Sequence, residues 1–406
     1  MSAQVEHGVL SVIQNDANNN LTSVTVTKTQ GTADFNLRPG SNRGDYNIRF
    51  SDAPDNDSVN GVAISSVRQN GRNNGATPNA GGNTSGLPAG IIHSTSAVTP
   101  NNPNDVTGSF FIPVFAAFES TSPAVDNVEF NVDVAVAYFA FSDGWLAGTA
   151  GNGSAGNNQP MTAQSSRFAP GINLGNQFVD QDVNAGTYLL NLTGLGASSQ
   201  NGILLVGGAK NEDNYALSRD NADGTFTIFC HDNAQNGASY ENDPISFVYV
   251  PNTAVNVTAG RVRGDGTLEL SFNGFTDGTG GTAITRLDNT GRYLIRITGQ
   301  TDTTGTLIIS PEGGESNNVD NIVTYEWNPG QNGWIVETRD LSATGAGANP
   351  QNLNAAEGAF SFAFFSNFLE ARPFSLSATA PEPTSFLFLS LTLGFLPLRR
   401  WRRRSP

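Results

Sequence analysis

Apolar and polar residues alternate along most of this chain. Leu21 to Thr29 (LTSVTVTKT), Val128 to Phe141 (VEFNVDVAVAYFAF), Thr225 to Phe229 (TFTIF), Leu268 to Phe272 (LELSF) and Tyr293 to Thr298 (YLIRIT) are alternating or unbroken runs rich in β-branched and aromatic residues. Successive side chains on a strand point to opposite faces, so a period of two, or a short continuous apolar run, predicts β-strands. Turn dipeptides separate the runs. Asn-Gly stands at 60–61, 70–71, 201–202, 236–237, 273–274 and 332–333, and Asp-Gly at 143–144, 223–224, 265–266 and 277–278. Such pairs take the positive φ angles that tight hairpins need. The body shows no 3.6-residue apolar period. The expected fold is therefore all-β: tandem β-sandwich or jelly-roll-like domains, then a short C-terminal hydrophobic helix.

The strand pattern also repeats. GTYLLNLTG begins at Gly186 and GRYLIRITG at Gly291, placing Tyr188 and Tyr293 105 residues apart. A second apolar strand follows each, NGILLV at 201–206 and TGTLIIS at 304–310. Next come DGTFTIFCHD at 223–232 against NGWIVETRD at 332–340, then PISFVYV at 244–250 against AFSFAFF at 359–365. A looser copy precedes them, with GDYNIRFSD at 44–52, NGVAISSV at 60–67 and VDVAVAYFAFSDGWLAG at 132–148. Recurrence of the same features in the same order predicts three similar domains, residues 1–150, 151–260 and 261–372. The first carries a long Asn-, Gly- and Pro-rich insertion, about residues 69–105, expected to be an extended loop. Residues 373–406 remain as a linker and tail.

Composition limits the chemistry. Of 406 residues only 14% are charged, and the formal net charge is −15. Five arginines fall in the last eight residues, so everything before them sums to −20, and the only lysines are Lys28 and Lys210. A body this acidic repels phosphate backbones, which excludes nucleic acid as an expected partner. Cys230 is the only cysteine, so neither an intrachain disulfide nor a multi-thiolate metal site can form.

The tail carries the most specific signal. Pro381-Glu382-Pro383 precedes an apolar stretch, Phe386 to Leu398, in which Phe386, Leu387, Phe388, Leu389, Leu391, Leu393, Phe395, Leu396 and Leu398 are the large apolar residues. As a helix these thirteen residues would span about 20 Å, short of the roughly 30 Å hydrocarbon core. Arg399, Arg400, Arg402, Arg403 and Arg404 follow, with Trp401 among them. A basic cluster beside an apolar segment predicts a cytoplasmic stop, with the body on the far side of the membrane. In that order and place, the three parts resemble the PEP-CTERM sorting signal. The resemblance covers about 26 residues and is silent on the body. It implies export by an exopolysaccharide-producing Gram-negative bacterium. It also implies recognition at Pro381, Glu382 and Pro383 by an exosortase (a membrane protease-transpeptidase), transient retention by the tail, then cleavage. Ala380 stands where the family commonly has Val. The N-terminus, MSAQVEHGVLSVIQND, lacks the basic start and apolar run of a secretory signal, so export predicts a start site further upstream or a chain trimmed at its front, non-export being the alternative.

The body itself offers little catalytic patterning. Cys230 and His231 are adjacent, and on a strand they face opposite ways, so they are not expected to act as nucleophile and base. The carboxylates Asp52, Asp55, Asp57, Glu119, Glu129, Glu212, Asp213, Asp220, Asp223, Glu241 and Asp243 show no spacing that defines a glycosidase pair. Asp55 and Asp57, in Asp55-Asn56-Asp57-Ser58-Val59-Asn60-Gly61, partly fit a calcium loop, but Val59 takes a ligand position and no Glu closes the loop. A solvated turn is the expected role, and no cofactor is expected. Trp145, Trp327 and Trp334 are either a sugar-stacking platform or covers over the ends of β-cores, the latter being favoured. These readings predict a non-enzymatic, exported surface or matrix protein with an adhesive or structural role. The alternative is a carbohydrate-binding or carbohydrate-active protein working on exopolysaccharide.

Overall fold

The computed structural model describes residues 5–15, 21–30, 33–37, 46–50, 60–68, 91–93, 95–97, 110–116, 133–150, 167–173, 176–180, 186–209, 214–232, 239–240, 243–273, 283–287, 291–313, 321–340 and 358–367. These residues form strands and two short 3-10 turns, with no α-helix among them. By compactness the chain divides into Met1–Asn367 and Phe368–Pro406.

The strands fall into three repeats. The first contains β1 (Glu6–Asn15), β2 (Leu21–Gln30), β3 (Ala33–Leu37), β4 (Tyr46–Phe50), β5 (Gly61–Arg68), β6 (Ile91–His93), β7 (Ser96–Ala97), β8 (Phe110–Ile112), β9 (Val114–Ala116) and β10 (Asp133–Ala140). The second contains β11 (Leu146–Ala150), β12 (Arg167–Phe168), β13 (Phe178–Asp180), β14 (Thr187–Leu190), β15 (Gly202–Gly208), β16 (Asn214–Asp220), β17 (Phe226–Asp232), β18 (Ser239–Tyr240) and β19 (Ile245–Pro251). The third contains β20 (Val257–Val262), β21 (Leu268–Phe272), β22 (Ala283–Arg286), β23 (Arg292–Arg296), β24 (Gly305–Glu312), β25 (Asn321–Asn328), β26 (Gly333–Asp340) and β27 (Ala359–Ser366).

Each repeat is a sandwich. Its inner sheet runs β2-β1-β10-β5 in the first repeat, β12-β11-β19-β15 in the second and β21-β20-β27-β24 in the third. Its outer sheet runs β3-β4-β8-β7, β13-β14-β17-β16 and β22-β23-β26-β25 in turn. In the first repeat the β6–β9 pair prolongs the β7–β8 pair. Register fixes the equivalences: Tyr46 lies opposite Ile112, Tyr188 opposite Ile228 and Tyr293 opposite Val336. All three tyrosines are buried. Gly61, Gly202 and Gly305 begin equivalent strands, opposite Ala140, Pro251 and Ser366. At each a Cβ would collide with the carbonyl and the ring of the neighbouring closing strand, so only glycine lets the two strands approach.

The central strands of the inner sheets are buried on both faces. On β5, Ala63 and Val67 pack within the first sandwich, whereas Val62 and Ile64 face a shared centre. On β15, Leu204 and Val206 serve the second sandwich, and Ile203 and Leu205 the centre. The centre also takes Phe139, Trp145, Val250, Ile308 and Phe365, and it is continuous with the core of the third sandwich. Phe139 meets Phe365 edge-on at 5.5 Å between ring centroids, joining the first and third repeats.

The repeats close on one another. The outer sheet of the second continues into the inner sheet of the third through a parallel bridge, Ser218 to Glu312. The outer sheet of the third reaches the inner sheet of the first through Tyr325 and Arg68. The outer sheet of the first reaches the inner sheet of the second through the Thr95 N–H, which donates to Gly208 O at 2.8 Å. Thr95, Ser218 and Tyr325 occupy equivalent positions, so the arrangement has pseudo-threefold symmetry within one chain.

Two expected boundaries shift. β11 pairs with β19 and β20 with β27, so residues 146–150 and 257–262 open the second and third repeats rather than ending the first and second. The cuts therefore lie before 150/151 and 260/261. Each closing strand pairs with both its own opening strand and its own second strand, and the short links 141–145 and 252–256 conceal the change of repeat. Within the expected loop insertion 69–105, β6 and β7 are strands of an outer sheet, equivalent to β16 and β25. The expected C-terminal helix lies outside the described residues. Among those residues no helix is long and apolar enough to cross a membrane.

Candidate functional site

Buried polar side chains meet at the seams between repeats. At the seam between the second and third repeats, Arg261 of β20 is 3% exposed and reaches across the boundary. Its Nη2 donates to the backbone oxygens of Ser199 and Gly202. Nη1 lies 2.8 Å from Asp220 Oδ2 and 3.8 Å from Glu269 Oε2, while Nε is 3.6 Å from Glu312 Oε1. The Ser361 hydroxyl donates to Glu312 Oε1. Burial pushes the Glu312 carboxyl up to about 7; Arg261 and the Ser361 bond draw it down in part, while Asp220 and Glu269 push it up further.

The seam between the third and first repeats is simpler. Arg68 Nη2 donates to Asp302 Oδ2 at 2.7 Å. The Ser66 hydroxyl donates to Ile309 O at 2.9 Å and accepts from the Ile309 N–H at the same distance. Ser310, the equivalent residue of β24, makes the corresponding pair of bonds to Val206 of the second repeat. The third equivalent is Gly207, which has no hydroxyl to offer.

Near Gly207 lies a cavity of about 20 Å3, lined by His93, Val206, Tyr215, Ile309 and Val323 among others. His93, Ala216 and Val323 are equivalent by register, so the cavity sits where the three repeats converge. Ser65 Oγ is 2.8 Å from His93 Nδ1 and 2.6 Å from Thr95 Oγ1. Burial lowers the His93 imidazole to about 4, keeping it neutral at ordinary pH. Ser65 and His93 stand at the distance of a nucleophile and its base. Yet Ser65 is 3% exposed, and the cavity beside it admits about one water, far below the few hundred Å3 of a typical ligand pocket. Both residues belong to the first repeat, and Ser65 is linked to the second through Thr95, whose N–H donates to Gly208 O.

The sequence candidates distribute as follows. Cys230 lies in the core of the second sandwich, whereas His231 faces the other way, stacked on Tyr215 at 5.2 Å and against Tyr240 at 4.5 Å. Trp145 and Trp334 are buried, so neither offers a face to a sugar; Trp327 packs edge-on to Trp334 at 4.8 Å. Asp220 joins the Arg261 cluster, Asp223 caps a turn through Thr225, and Asp243 accepts from Asn214. Among the described residues no group of three or more His, Cys, Asp and Glu is placed to hold a metal ion. Asp52, Asp55, Asp57, Glu119, Glu129, Glu212, Asp213 and Glu241 lie outside the described residues, as do Pro381, Glu382, Pro383 and the rest of the tail. Sequence reading missed Arg261, Glu312 and Ser65. Arg261 and Glu312 are charges inside apolar strands, a visible signal, but their convergence needs the register.

No family model, no curated protein and no solved structure matches this chain.

Proposed function

We propose that the chain is an exported protein addressed by its C-terminus to an exosortase, and that its three-repeat β body has an adhesive or structural role at the cell surface or in the surrounding polysaccharide. One observation carries the reading: Pro381-Glu382-Pro383, an apolar stretch and an arginine cluster stand in that order at the end of an otherwise acidic chain. The architecture is compatible with a passive, durable role. A body stabilised by three cores, one of which extends into the shared centre, needs no disulfide, in keeping with a single cysteine that is buried. Its repeats are closed on one another, so contacts with a polymer would come from one body presenting three related outer faces, not from a flexible string of domains.

The test is localisation in an exosortase-bearing host, with an epitope placed in the body. Wild-type protein is expected in the envelope or medium. Replacing Glu382 by Ala, or the five tail arginines by Ser, is expected to cause retention in the membrane or loss of processing. Identical distribution and processing of all three proteins would contradict the proposal.

A further inference from the structure

The Arg261 cluster differs from the other seams in one respect. Three carboxylates converge on a single buried guanidinium, and they come from both repeats: Asp220 from the second, Glu269 and Glu312 from the third. Asp220 and Glu269 keep partial access to water, at 31% and 26% side-chain exposure, and Glu269 has a second cation in Arg263 at 2.8 Å. Glu312 has neither advantage. It is 3% exposed, its closest guanidinium nitrogen is beyond hydrogen-bond reach at 3.6 Å, and among the described residues the side chain that hydrogen-bonds its carboxyl is Ser361. Asn321, on β25, bonds the backbone oxygen of Glu312 and leaves the carboxylate untouched. On the neighbouring strand β16, Arg219 lies over the Phe229 ring, and Arg68, on β5 at another seam, is engaged by Asp302.

Glu312 also stands at the hinge of the seam. Its backbone is the bridge partner of Ser218, and the next residue, Gly313, donates its N–H to Ser218 O at 2.7 Å. Ionising Glu312 places a third negative charge around Arg261, at a position itself shielded from water, and competes for the guanidinium that holds Ser199, Gly202 and Asp220 in the second repeat. We propose that the seam between the second and third repeats is a protonation-sensitive lock, closed while Glu312 is neutral and loosened when it ionises. The raised proton affinity of Glu312 agrees with this sign. A carboxyl raised from 4.5 to about 7 contributes stability that is complete below its unfolded value and is lost as pH rises through that window. The inference concerns the body alone and holds whether or not the tail acts as a sorting signal.

Hydrogen exchange by mass spectrometry on the full chain tests it, with rates corrected for the intrinsic effect of pH. Peptides covering 214–220 and 305–313 are expected to lose protection about fivefold or more between about pH 6 and pH 8, while those covering 61–68 and 133–140 hold theirs. Glu312→Gln, a fixed neutral mimic, is expected to abolish the change. Asp220→Asn, which removes a competing negative charge, is expected to move its midpoint down by about half a pH unit. The second variant keeps the test open should the first fold poorly. The proposal is overturned if wild type and Glu312→Gln lose protection alike, if Asp220→Asn leaves the midpoint unmoved, or if protection falls evenly over the chain.

Discussion

Gly61 shows how a single position constrains the repeat. A Cβ there would lie 2.6 Å from Phe139 O and 2.6 Å from the Tyr138 ring, and the backbone oxygen cannot yield. Gly61→Ala should therefore destabilise the body by about 1–3 kcal/mol, the usual cost of overpacking a rigid site. Gly194 has open space around its Cβ direction, so Gly194→Ala should stay within about 0.5 kcal/mol of wild type. Denaturant midpoints of the two variants check the contrast; equal effects would mean that close strand approach does not require glycine here. The Asn-Gly of 60–61 and 201–202 was legible as a turn. That its glycine also admits the closing strand was not, because the colliding atoms lie about fifty to eighty residues away.

At the scale of strands, the seams make unequal demands on charge. Arg261 is buried and Arg68 is partly exposed, with side-chain exposures of 3% and 16%. Arg261→Met leaves Asp220 and the backbone oxygens of Ser199 and Gly202 without their buried donor, a loss of about 3–5 kcal/mol by analogy with broken buried pairs. Arg68→Met should cost about 1 kcal/mol or less, since Asp302 can turn to water. Urea unfolding of both distinguishes them, and a reversed order would contradict the description of the seams. The strands themselves were readable from sequence. Edge strands such as LELSF alternate because one face meets water, and central strands such as GILLV are continuous because neither does. Tyr188, Tyr293 and Tyr46 take corresponding places, opposite Ile228, Val336 and Ile112. Seam contacts were not readable. A single parallel bridge between Ser218 and Glu312, or between Tyr325 and Arg68, imposes no periodicity on either strand. The strands within 69–105 were concealed by their shortness, two and three residues, amid Asn and Gly.

For the molecule as a whole, the shared centre matters most. Phe139, Trp145, Val250 and Phe365 come from three repeats, so loss of one repeat exposes the inner sheets of the others. The body should unfold in one calorimetric transition, with van't Hoff and calorimetric enthalpies equal. Three separable transitions would indicate independent domains joined in a row. The proposed function assigns the addressing of the protein to the terminal segment. The fate of that segment is therefore the most direct measurement: the intact mass of the protein recovered from the envelope or medium of an exosortase-bearing host. The account predicts a chain shortened near Pro381, having lost the apolar stretch and Arg399 to Arg404. A protein found in the cytosol with its C-terminus intact to Pro406 would contradict it.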